Sequence, residues 1–172
     1  MKHLPIAVLC LFISINAYSK VRVIQSSNIA VGSKQLKGQT DKDLECLAYS
    51  IYREAGNQTV SAQYAVGQVH INRVHEGTWG KSLCKVVYAN AQFSWTLENK
   101  LRPWNVNQYD QYMTIAAGLV NGVYDRGLKS PKILHYYANY VHPKWANQGE
   151  TVAVAGAHIF VKDVPHGVKH AK

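Results

Sequence analysis

The fold of this 172-residue chain is decided by one stretch, DKDLECLAYSIYREA at residues 41–55. Its apolar side chains recur at the spacing of one helical face: Leu44, Leu47, Ala48, Ile51 and Ala55. Just before it, Thr40 with Asp43 three residues later resembles a capping box in which Asp replaces Glu. The pattern predicts a helix from Asp41 to Ala55.

Three further helices are predicted beyond this stretch. Ser61 is a candidate N-cap for a second helix that reaches Val74, and a short third helix covers residues 82–88. Residues 89–106 show no helical or strand period and contain several aromatic side chains, which is typical of a functional loop. Helical spacing returns over residues 107–124 and predicts the fourth helix.

The period changes again in the last third of the chain. Short runs rich in β-forming residues occupy residues 133–137, 152–155 and 158–161, with turn residues between them. These runs predict a small antiparallel β-sheet toward the C-terminus. We therefore expect an α+β fold that is mainly helical.

The first residues have the organisation of a secretory signal peptide. A basic start at Lys2 is followed by an apolar run over residues 4–15 and by Ala17-Tyr18-Ser19, a small-x-small cleavage site. The apolar run is shorter than the roughly twenty residues that a membrane-spanning helix needs, although an uncleaved anchor is the alternative. We expect a signal peptide at 1–19 and a periplasmic or secreted protein with no stable membrane anchor.

Length and composition indicate one folded domain. A chain of 172 residues with 47% hydrophobic residues is long enough to build a core of its own. We expect an N-terminal arm or linker at 20–40, one folded domain at 41–163 and a basic tail at 164–172. A monomer is the default expectation.

Once the signal is removed, two cysteines remain. Cys46 and Cys84 form an even pair in a chain bound for an oxidising compartment, which favours one disulfide. Such a bridge would join the first helix to the third. In the chain-entropy model, closing this loop stabilises the folded state by about 3 to 4 kcal/mol. The alternative is two buried free thiols.

The charge balance predicts an anionic partner. Lysine and arginine total 19 against 10 acidic residues, giving a formal net charge of +9. Outside the cytoplasm, such a protein is attracted to anionic lipids, to teichoic acids and to the acidic, peptide-bearing glycan of the wall. The basic residues are scattered and no nucleic-acid-binding motif is present, so we expect no nucleic-acid partner.

One carboxylate stands out on the first helix. Glu54 follows Ile51 by three residues and Leu47 by seven, so its side chain leaves the helix close to the apolar face. The alternative is an ordinary helix-end glutamate that reaches water or pairs with an arginine. Partial burial near aromatic residues would raise the pKa of Glu54 toward the range that suits a general acid.

Four sequence blocks occur in a fixed order along the chain. They are CLAYSIYREA at 46–55, AVGQVHINRV at 65–74, CKVVY at 84–88 with QFSW at 92–95, and HYYANYVHPKW at 135–145 closed by GAHIF at 156–160. Together the blocks resemble the SleB-type cell-wall hydrolases, a family named for spore-cortex lytic enzymes. The resemblance implies a lysozyme-like, lytic-transglycosylase-like catalytic domain.

The resemblance also implies an activity and a site. The expected substrate is the peptidoglycan glycan strand, cleaved at its MurNAc-GlcNAc glycosidic bond with Glu54 as the catalytic acid/base and with no cofactor. The expected substrate-binding residues share aromatic, amide, hydroxyl or imidazole side chains suited to sugars: Gln92, Phe93, Ser94, Trp95, His135, Tyr136, Tyr137 and Asn72. Without the resemblance, Phe93 and Trp95 read as core anchors, and His135 and Asn72 as structural residues.

Two questions about the chemistry stay open in the sequence. Retaining and inverting glycosidases need a second carboxylate, about 5 Å or about 6.5 to 9.5 Å from the first, and Glu98 and Asp110 are the candidates. A single acid/base suffices if the muramyl C6 hydroxyl attacks and an anhydro-muramyl product forms. Gln58 stands where the family commonly has a second glutamate, so a wall-binding module without turnover is conceivable.

Histidines raise one further alternative, a zinc-dependent amidase. His70 and His75 are five residues apart, which does not stack them on one helical face, and no His-Glu-x-x-His motif occurs. A metal site would have to be assembled from the distant residues His135, His142 and His158. We expect no metal.

Overall fold

The structure is a computed structural model that describes residues 35–90, 92–98, 104–123, 128 and 130–165. The predicted signal peptide at 1–19, residues 20–34 of the expected arm and residues 166–172 of the expected tail lie outside the described residues. In the described part of the chain, no helix is both long enough and apolar enough to cross a membrane.

Four α-helices make up the larger part of the molecule: α1 at Asp41–Ala55, α2 at Val60–Glu76, α3 at Leu83–Val87 and α4 at Val106–Val120. The predicted bounds of α1 are confirmed, and Thr40 and Asp43 form the predicted capping box. Helix α2 begins before the predicted Ser61 cap, because the Thr59 hydroxyl accepts a hydrogen bond from the backbone N–H of Ala62. Helix α4 ends at Val120, and Tyr124 lies outside the described residues.

Helix α1 is the centre of the helical core. It packs against the other three helices, and its residues from Cys46 to Tyr52 are all buried. Gly67 of α2 lets the helices approach closely, since a Cβ at this position would lie 2.3 Å from Leu119 Cδ1 and 2.8 Å from Ile51 Cδ1. The end of α1 is therefore held in a fixed place by packing on several sides.

The predicted disulfide between Cys46 and Cys84 is confirmed, with 5.2 Å between the two Cα atoms. It joins α1 to α3. Close by, Asp43 Oδ1 accepts a hydrogen bond from the backbone N–H of Cys84 at 3.1 Å. The N-terminal half of α1 is thus tied to α3 by a covalent bond and a hydrogen bond.

The predicted C-terminal sheet is also confirmed. Its strands are β1 at Ile133–Ala138, β2 at Glu150–Ala155 and β3 at His158–Lys162, antiparallel in the order β1-β3-β2. Gly156 and Ala157 form the turn between β2 and β3, and Gly156 has a φ of +55°, a conformation that glycine adopts readily. The observed fold is the predicted α+β fold.

The sheet packs against α2 through a second, smaller core. Ile133 and Phe160 from the sheet meet Val66 and Val69 from the helix. Two 3₁₀ turns complete the described structure, at Ser94–Leu97 and Lys144–Gln148. Between this sheet and the end of α1 the molecule forms a cleft.

Candidate active site

The cleft has a volume of about 350 Å³ and two unlike walls. The helix-side wall comes from α1, α2 and the loop before the first 3₁₀ turn: Arg53, Glu54, Arg73, Gln92 and Phe93. The sheet-side wall comes from β1, the loop after it and β3: Tyr136, Tyr137, Ala138, Tyr140 and His158.

Glu54 lies in the last turn of α1 and is held by two hydrogen-bond donors. Trp95 Nε1 donates to Glu54 Oε1 at 2.6 Å, and the Tyr136 hydroxyl donates to Glu54 Oε2 at 3.2 Å. Burial raises the pKa of Glu54 above its usual value, while these two donors and the charges of Arg53 and Arg73 act in the opposite direction. The carboxyl group is therefore fixed in position and binds its proton more tightly than a solvated glutamate does.

Trp95 is held behind Glu54 by an aromatic cluster. Its side chain is buried and packs against Tyr49 at 5.5 Å and Phe93 at 5.9 Å between ring centroids. Phe93 in turn stacks on His70 at 5.2 Å. This packing explains how a residue from the aromatic loop presents its indole N–H to Glu54 in one orientation.

His70 supports the cluster from inside the protein. It is fully buried, with Nδ1 2.9 Å from the Val66 carbonyl oxygen and Nε2 2.9 Å from the Ser50 hydroxyl. Burial lowers the pKa of His70 to about 3, so the ring is neutral and Nδ1 donates to the carbonyl. His70 is thus a structural histidine with both nitrogens satisfied.

The two candidate second carboxylates lie outside the cleft lining. Glu98 pairs with Arg53, whose Nη2 lies 2.7 and 2.9 Å from its two carboxylate oxygens, and Asp110 is exposed on α4. Among the residues that the structure describes, Glu54 is the only carboxylate that lines the cleft. Glu98 and Asp110 are therefore not among the residues that line this cleft.

The sequence-based list of site residues omitted Arg73. This side chain is buried, its Nε donates to the Leu134 carbonyl at 2.8 Å, and its guanidinium lies 4.8 Å from the Trp79 ring centroid. Burial lowers the pKa of Arg73 to about 10, which leaves it charged at neutral pH. Its position was predictable, because Arg73 follows Val66 by seven residues and Val69 by four on the inner face of α2.

The sheet-side wall carries neutral polar and aromatic groups. Tyr136 and Tyr137 line the cleft from β1, and burial raises the pKa of Tyr136, so its hydroxyl remains a donor. Tyr140 is 83% exposed at the rim, and His158 at the start of β3 is 7% exposed. Tyr140 and His158 were also missing from the predicted substrate-binding set.

The predicted site residues divide into those inside and those outside the cleft. Gln92, Phe93, Tyr136 and Tyr137 line it together with Glu54, and Trp95 stands directly behind the carboxylate. Ser94 is exposed in the 3₁₀ turn and is not among the residues that line the cleft. Its neighbours Phe93 and Trp95 are both buried.

His135 and Asn72 are also not among the residues that line the cleft. His135 is buried between Trp79 and Trp145, at ring-centroid distances of 5.7 and 5.4 Å, on the face of β1 opposite to Tyr136. Asn72 is buried on α2, where its Nδ2 donates to the Ile133 carbonyl at 2.9 Å and its Oδ1 accepts from Gln68. Asn72 therefore fastens β1 to α2 and does not line the cleft.

Gln58, the position at which the family commonly has a second glutamate, also has a structural place. Its Oε1 accepts a hydrogen bond from the backbone N–H of Ala157 at 2.8 Å. This bond ties the turn after α1 to the turn between β2 and β3. Gln58 is not among the residues that line the cleft.

The three histidines considered as possible zinc ligands lie in three different environments. His135 lies between two tryptophans, His142 Nε2 is 2.8 Å from Asn147 Oδ1, and His158 lines the cleft. Within the described ranges, no group of three histidine, cysteine or acidic side chains is arranged to hold a metal ion.

Comparisons with known proteins agree with this architecture. The fold is similar to the catalytic domain of the germination-specific lytic transglycosylase SleB from Bacillus anthracis, with a TM-score of 0.59 and 19% identity over 73% of this chain and 98% of that domain. The SleB catalytic domain from Bacillus cereus gives a TM-score of 0.59 and 18% identity over 78% of this chain and 99% of that one. A comparison with curated proteins found no match.

A family model described as Cell Wall Hydrolase matches residues 57–161, which is more than half of the chain. The match begins three residues after Glu54, so the importance of Glu54 rests on the cleft geometry. It covers the cleft-lining residues from Arg73 to His158, whereas Arg53 and Glu54 lie before it. The chain therefore belongs to the cell wall hydrolase family, and its catalytic fold is of the SleB type.

Proposed function

We propose that this protein cleaves the MurNAc-GlcNAc bond of peptidoglycan as a lytic transglycosylase, with Glu54 as its single acid/base. The observation that carries the proposal is the isolation of Glu54 in the cleft. It is the one carboxylate among the described lining residues, and its pKa is raised by burial. Such an environment suits a group that must first donate a proton and then accept one.

In the first step, protonated Glu54 donates its proton to the glycosidic oxygen. The bond between that oxygen and C1 of MurNAc breaks, and positive charge develops at C1. Glu54 becomes a carboxylate, which Trp95 Nε1 and the Tyr136 hydroxyl stabilise through the hydrogen bonds already in place. The two donors therefore favour the charge state that forms during bond breaking.

In the second step, the C6 hydroxyl of the same MurNAc attacks C1. Its proton passes to the Glu54 carboxylate, and the new C1–O6 bond closes an anhydro ring. The enzyme returns to its starting protonation state, so one carboxyl group serves both steps. The net change moves a proton from O6 to the leaving sugar and consumes no water.

The cleft surface supports a glycan substrate. Phe93, Tyr137 and Tyr140 offer aromatic faces of the kind that pack against pyranose rings, while Gln92 offers an amide that bonds sugar hydroxyls and acetamides. The net charge of +9 favours approach to a wall polymer that carries acidic peptides. We propose that the predicted signal peptide delivers the protein outside the cytoplasm, where this substrate lies.

The competing hydrolase mechanism needs a second carboxylate to activate water or to form a covalent intermediate. Glu98 is engaged with Arg53 at 2.7 Å, and Asp110 is exposed on a different surface. This arrangement favours attack by the C6 hydroxyl. The alternative of a wall-binding module without turnover rested on Gln58, which stands where the family commonly has a second glutamate. Gln58 makes a structural hydrogen bond to Ala157 and does not line the cleft, so its presence does not argue against catalysis by Glu54.

The test compares digestion of purified peptidoglycan by the mature protein, by Glu54→Gln and by Glu98→Gln. We expect anhydro-muropeptides from the wild type and from Glu98→Gln, and no product from Glu54→Gln, with mass spectrometry identifying the fragments. Glu98→Gln is the matched control, since it makes the same chemical change at the carboxylate beside Arg53. An active Glu54→Gln variant, or freed stem peptides, would contradict the proposal.

A further inference from the structure

His158 is a polar side chain that is both buried and part of the cleft wall. It opens β3 and is paired in register with Ala138 of β1 and Ala155 of β2, so its backbone is held from both sides. The side chain is 93% removed from solvent by its neighbours, since only 7% of its surface is exposed, yet it lines the cleft. A polar ring is thus placed rigidly beside Tyr136, at 5.3 Å between ring centroids.

Neither ring nitrogen of His158 is hydrogen-bonded to another described residue, and Nδ1 is buried without a partner. His70 provides the contrast within the same molecule, because both of its nitrogens have partners and it lies outside the cleft lining. Buried polar groups in proteins are almost always bonded, so an exception calls for a functional explanation. The other ring nitrogen of His158, Nε2, is therefore available to a ligand in the cleft.

The tautomer of His158 follows from the same geometry. Nδ1 is buried without a partner in either tautomer. A buried N–H without an acceptor is rarer in proteins than a buried acceptor without a donor, which favours the proton on Nε2. A proton on Nε2 instead meets water or substrate in the cleft. Burial also lowers the pKa of His158, so the ring is neutral. The cleft therefore presents an N–H donor that carries no charge.

We infer that His158 is a substrate-positioning residue, whose Nε2–H donates a hydrogen bond to a hydroxyl or acetamide oxygen of the bound glycan. This inference rests on the proposed function, because it names the part of the substrate that the sheet-side wall recognises. A neutral donor matches the uncharged oxygens of an N-acetylated sugar. Held beside Tyr136, His158 places the sugar in line with the carboxyl group to which Tyr136 is bonded.

The first test uses two substitutions that differ in reach. Gln at position 158 carries an amide N–H donor to about the place of Nε2, whereas Asn reaches only to the place of Nδ1. We expect His158→Asn to raise KM for peptidoglycan about 10-fold, as loss of one hydrogen bond predicts, with a smaller effect on kcat. His158→Gln should stay within about 3-fold of wild type on the same grounds.

The exposed His75 at the end of α2 supplies the control, since His75→Gln changes a histidine far from the cleft lining. Wild-type KM in a folded His158→Asn variant would overturn the inference. Equal losses in His158→Gln and His158→Asn would overturn it as well, because a donor at the Nε2 position would then make no difference.

The second test leaves His158 intact and so does not depend on how the His158 variants fold. Nitrogen-15 imidazole spectra of Glu54→Gln are recorded without and with a GlcNAc-MurNAc tetrasaccharide. We expect the Nε2–H tautomer in the free protein, and a shift of the His158 Nε2 signal on binding that His70 does not show. An Nδ1–H tautomer would contradict the inference.

The outcomes separate this inference from the proposed function. If the Gln92 amide signals respond to the tetrasaccharide while His158 does not, the role of His158 is wrong and the proposed function stands. If Glu54→Gln degrades the tetrasaccharide, the proposed function fails. If no signal of the cleft responds, both fail.

Discussion

The two walls of the cleft differ in charge, burial and predictability. Among the described lining residues, the formally charged ones, Arg53, Glu54 and Arg73, lie in the helix-side wall, while the sheet-side wall holds tyrosines, an alanine and a neutral histidine. Charge is concentrated where proton transfer is proposed, and neutral donors and rings lie where a sugar would bind. The hydrogen bond from Tyr136 to Glu54 joins the two walls.

The two walls also differ in how firmly the rest of the fold supports them. The helix-side wall is backed by the helical core, the disulfide and an aromatic cluster, so its groups are fixed before substrate arrives. The sheet-side wall ends in a rim where Tyr140 is 83% exposed. Substitutions on the helix side should therefore alter the chemical step, and those on the sheet side should alter binding.

Removal of the disulfide should have the largest effect on stability and little effect on chemistry. The bridge closes a span of 38 residues, so the double variant Cys46→Ala/Cys84→Ala should lose about 3 kcal/mol of unfolding free energy. For a domain of this size, that loss lowers the Tm by roughly 10 °C. Thermal unfolding measures the change, and kcat below the transition should stay near wild type, since neither cysteine lines the cleft.

The two donors to Glu54 should differ in their effect on the rate. Trp95→Phe removes a bond of 2.6 Å to a group that becomes charged, which should lower kcat/KM by roughly 10- to 100-fold. Tyr136→Phe removes a bond of 3.2 Å from the other wall and should cost about 3- to 10-fold. Steady-state digestion kinetics give both values.

Trp104→Phe is the matched control for the indole. Trp104 packs against Tyr49 at 5.2 Å, whereas the described hydrogen bonds to Glu54 come from Trp95 and Tyr136. Trp104→Phe therefore loses the same bulk without loss of a hydrogen bond to Glu54. If Trp104→Phe slows the reaction as much as Trp95→Phe, packing and not hydrogen bonding explains the effect. A larger loss in Tyr136→Phe than in Trp95→Phe would reverse the proposed division between the walls.

The charge next to Glu54 should set the pH range of activity. A cation favours the carboxylate, so Arg53→Gln should raise the pKa of Glu54 further. Because a general acid works only while protonated, a higher pKa moves the alkaline limb of kcat/KM to higher pH. Glu98→Gln keeps the cation and should not move that limb upward. A downward shift in Arg53→Gln would contradict this account of the site.

The smallest effect is expected at Gln58, although it lies one turn after Glu54. A glutamate at this position can accept the hydrogen bond from Ala157 N–H as the amide does. Gln58→Glu should therefore leave kcat/KM within about 2-fold and stability within about 0.5 kcal/mol. Activity assays and thermal unfolding test both numbers. A gain of 10-fold or more would show that the second glutamate contributes to the chemistry.

The helix-side wall was largely predictable from the sequence. Helical spacing and a capping box define α1 to the residue, and the same spacing places Glu54 next to the apolar face. Arg73 continues the inner face of α2, so the same rule was sufficient to find it. Helical periodicity is sufficient here because the spacing of residues within one helix determines which of them share its buried face.

The sheet-side wall was not predictable in the same way. In a strand, a shift of one residue exchanges the two faces, and the register of β1 changes between Ile133 and His135. Consequently, His135 lies among tryptophans while Tyr136 meets Glu54. Tyr140 and His158 reach the cleft only because β1, β3 and their loops assemble. Both lie in the sequence blocks at 135–145 and 156–160, but the spacing of residues within a strand does not predict that they meet at the cleft.

Digestion of peptidoglycan in water enriched in oxygen-18 reports whether water or the MurNAc C6 hydroxyl attacks C1. If the C6 hydroxyl attacks with Glu54 as the single acid/base, mass spectrometry will find anhydro-muramyl ends without the label. Reducing muramyl ends that carry one oxygen-18 atom would mean that water attacks, and would contradict the single-carboxylate account of this cleft.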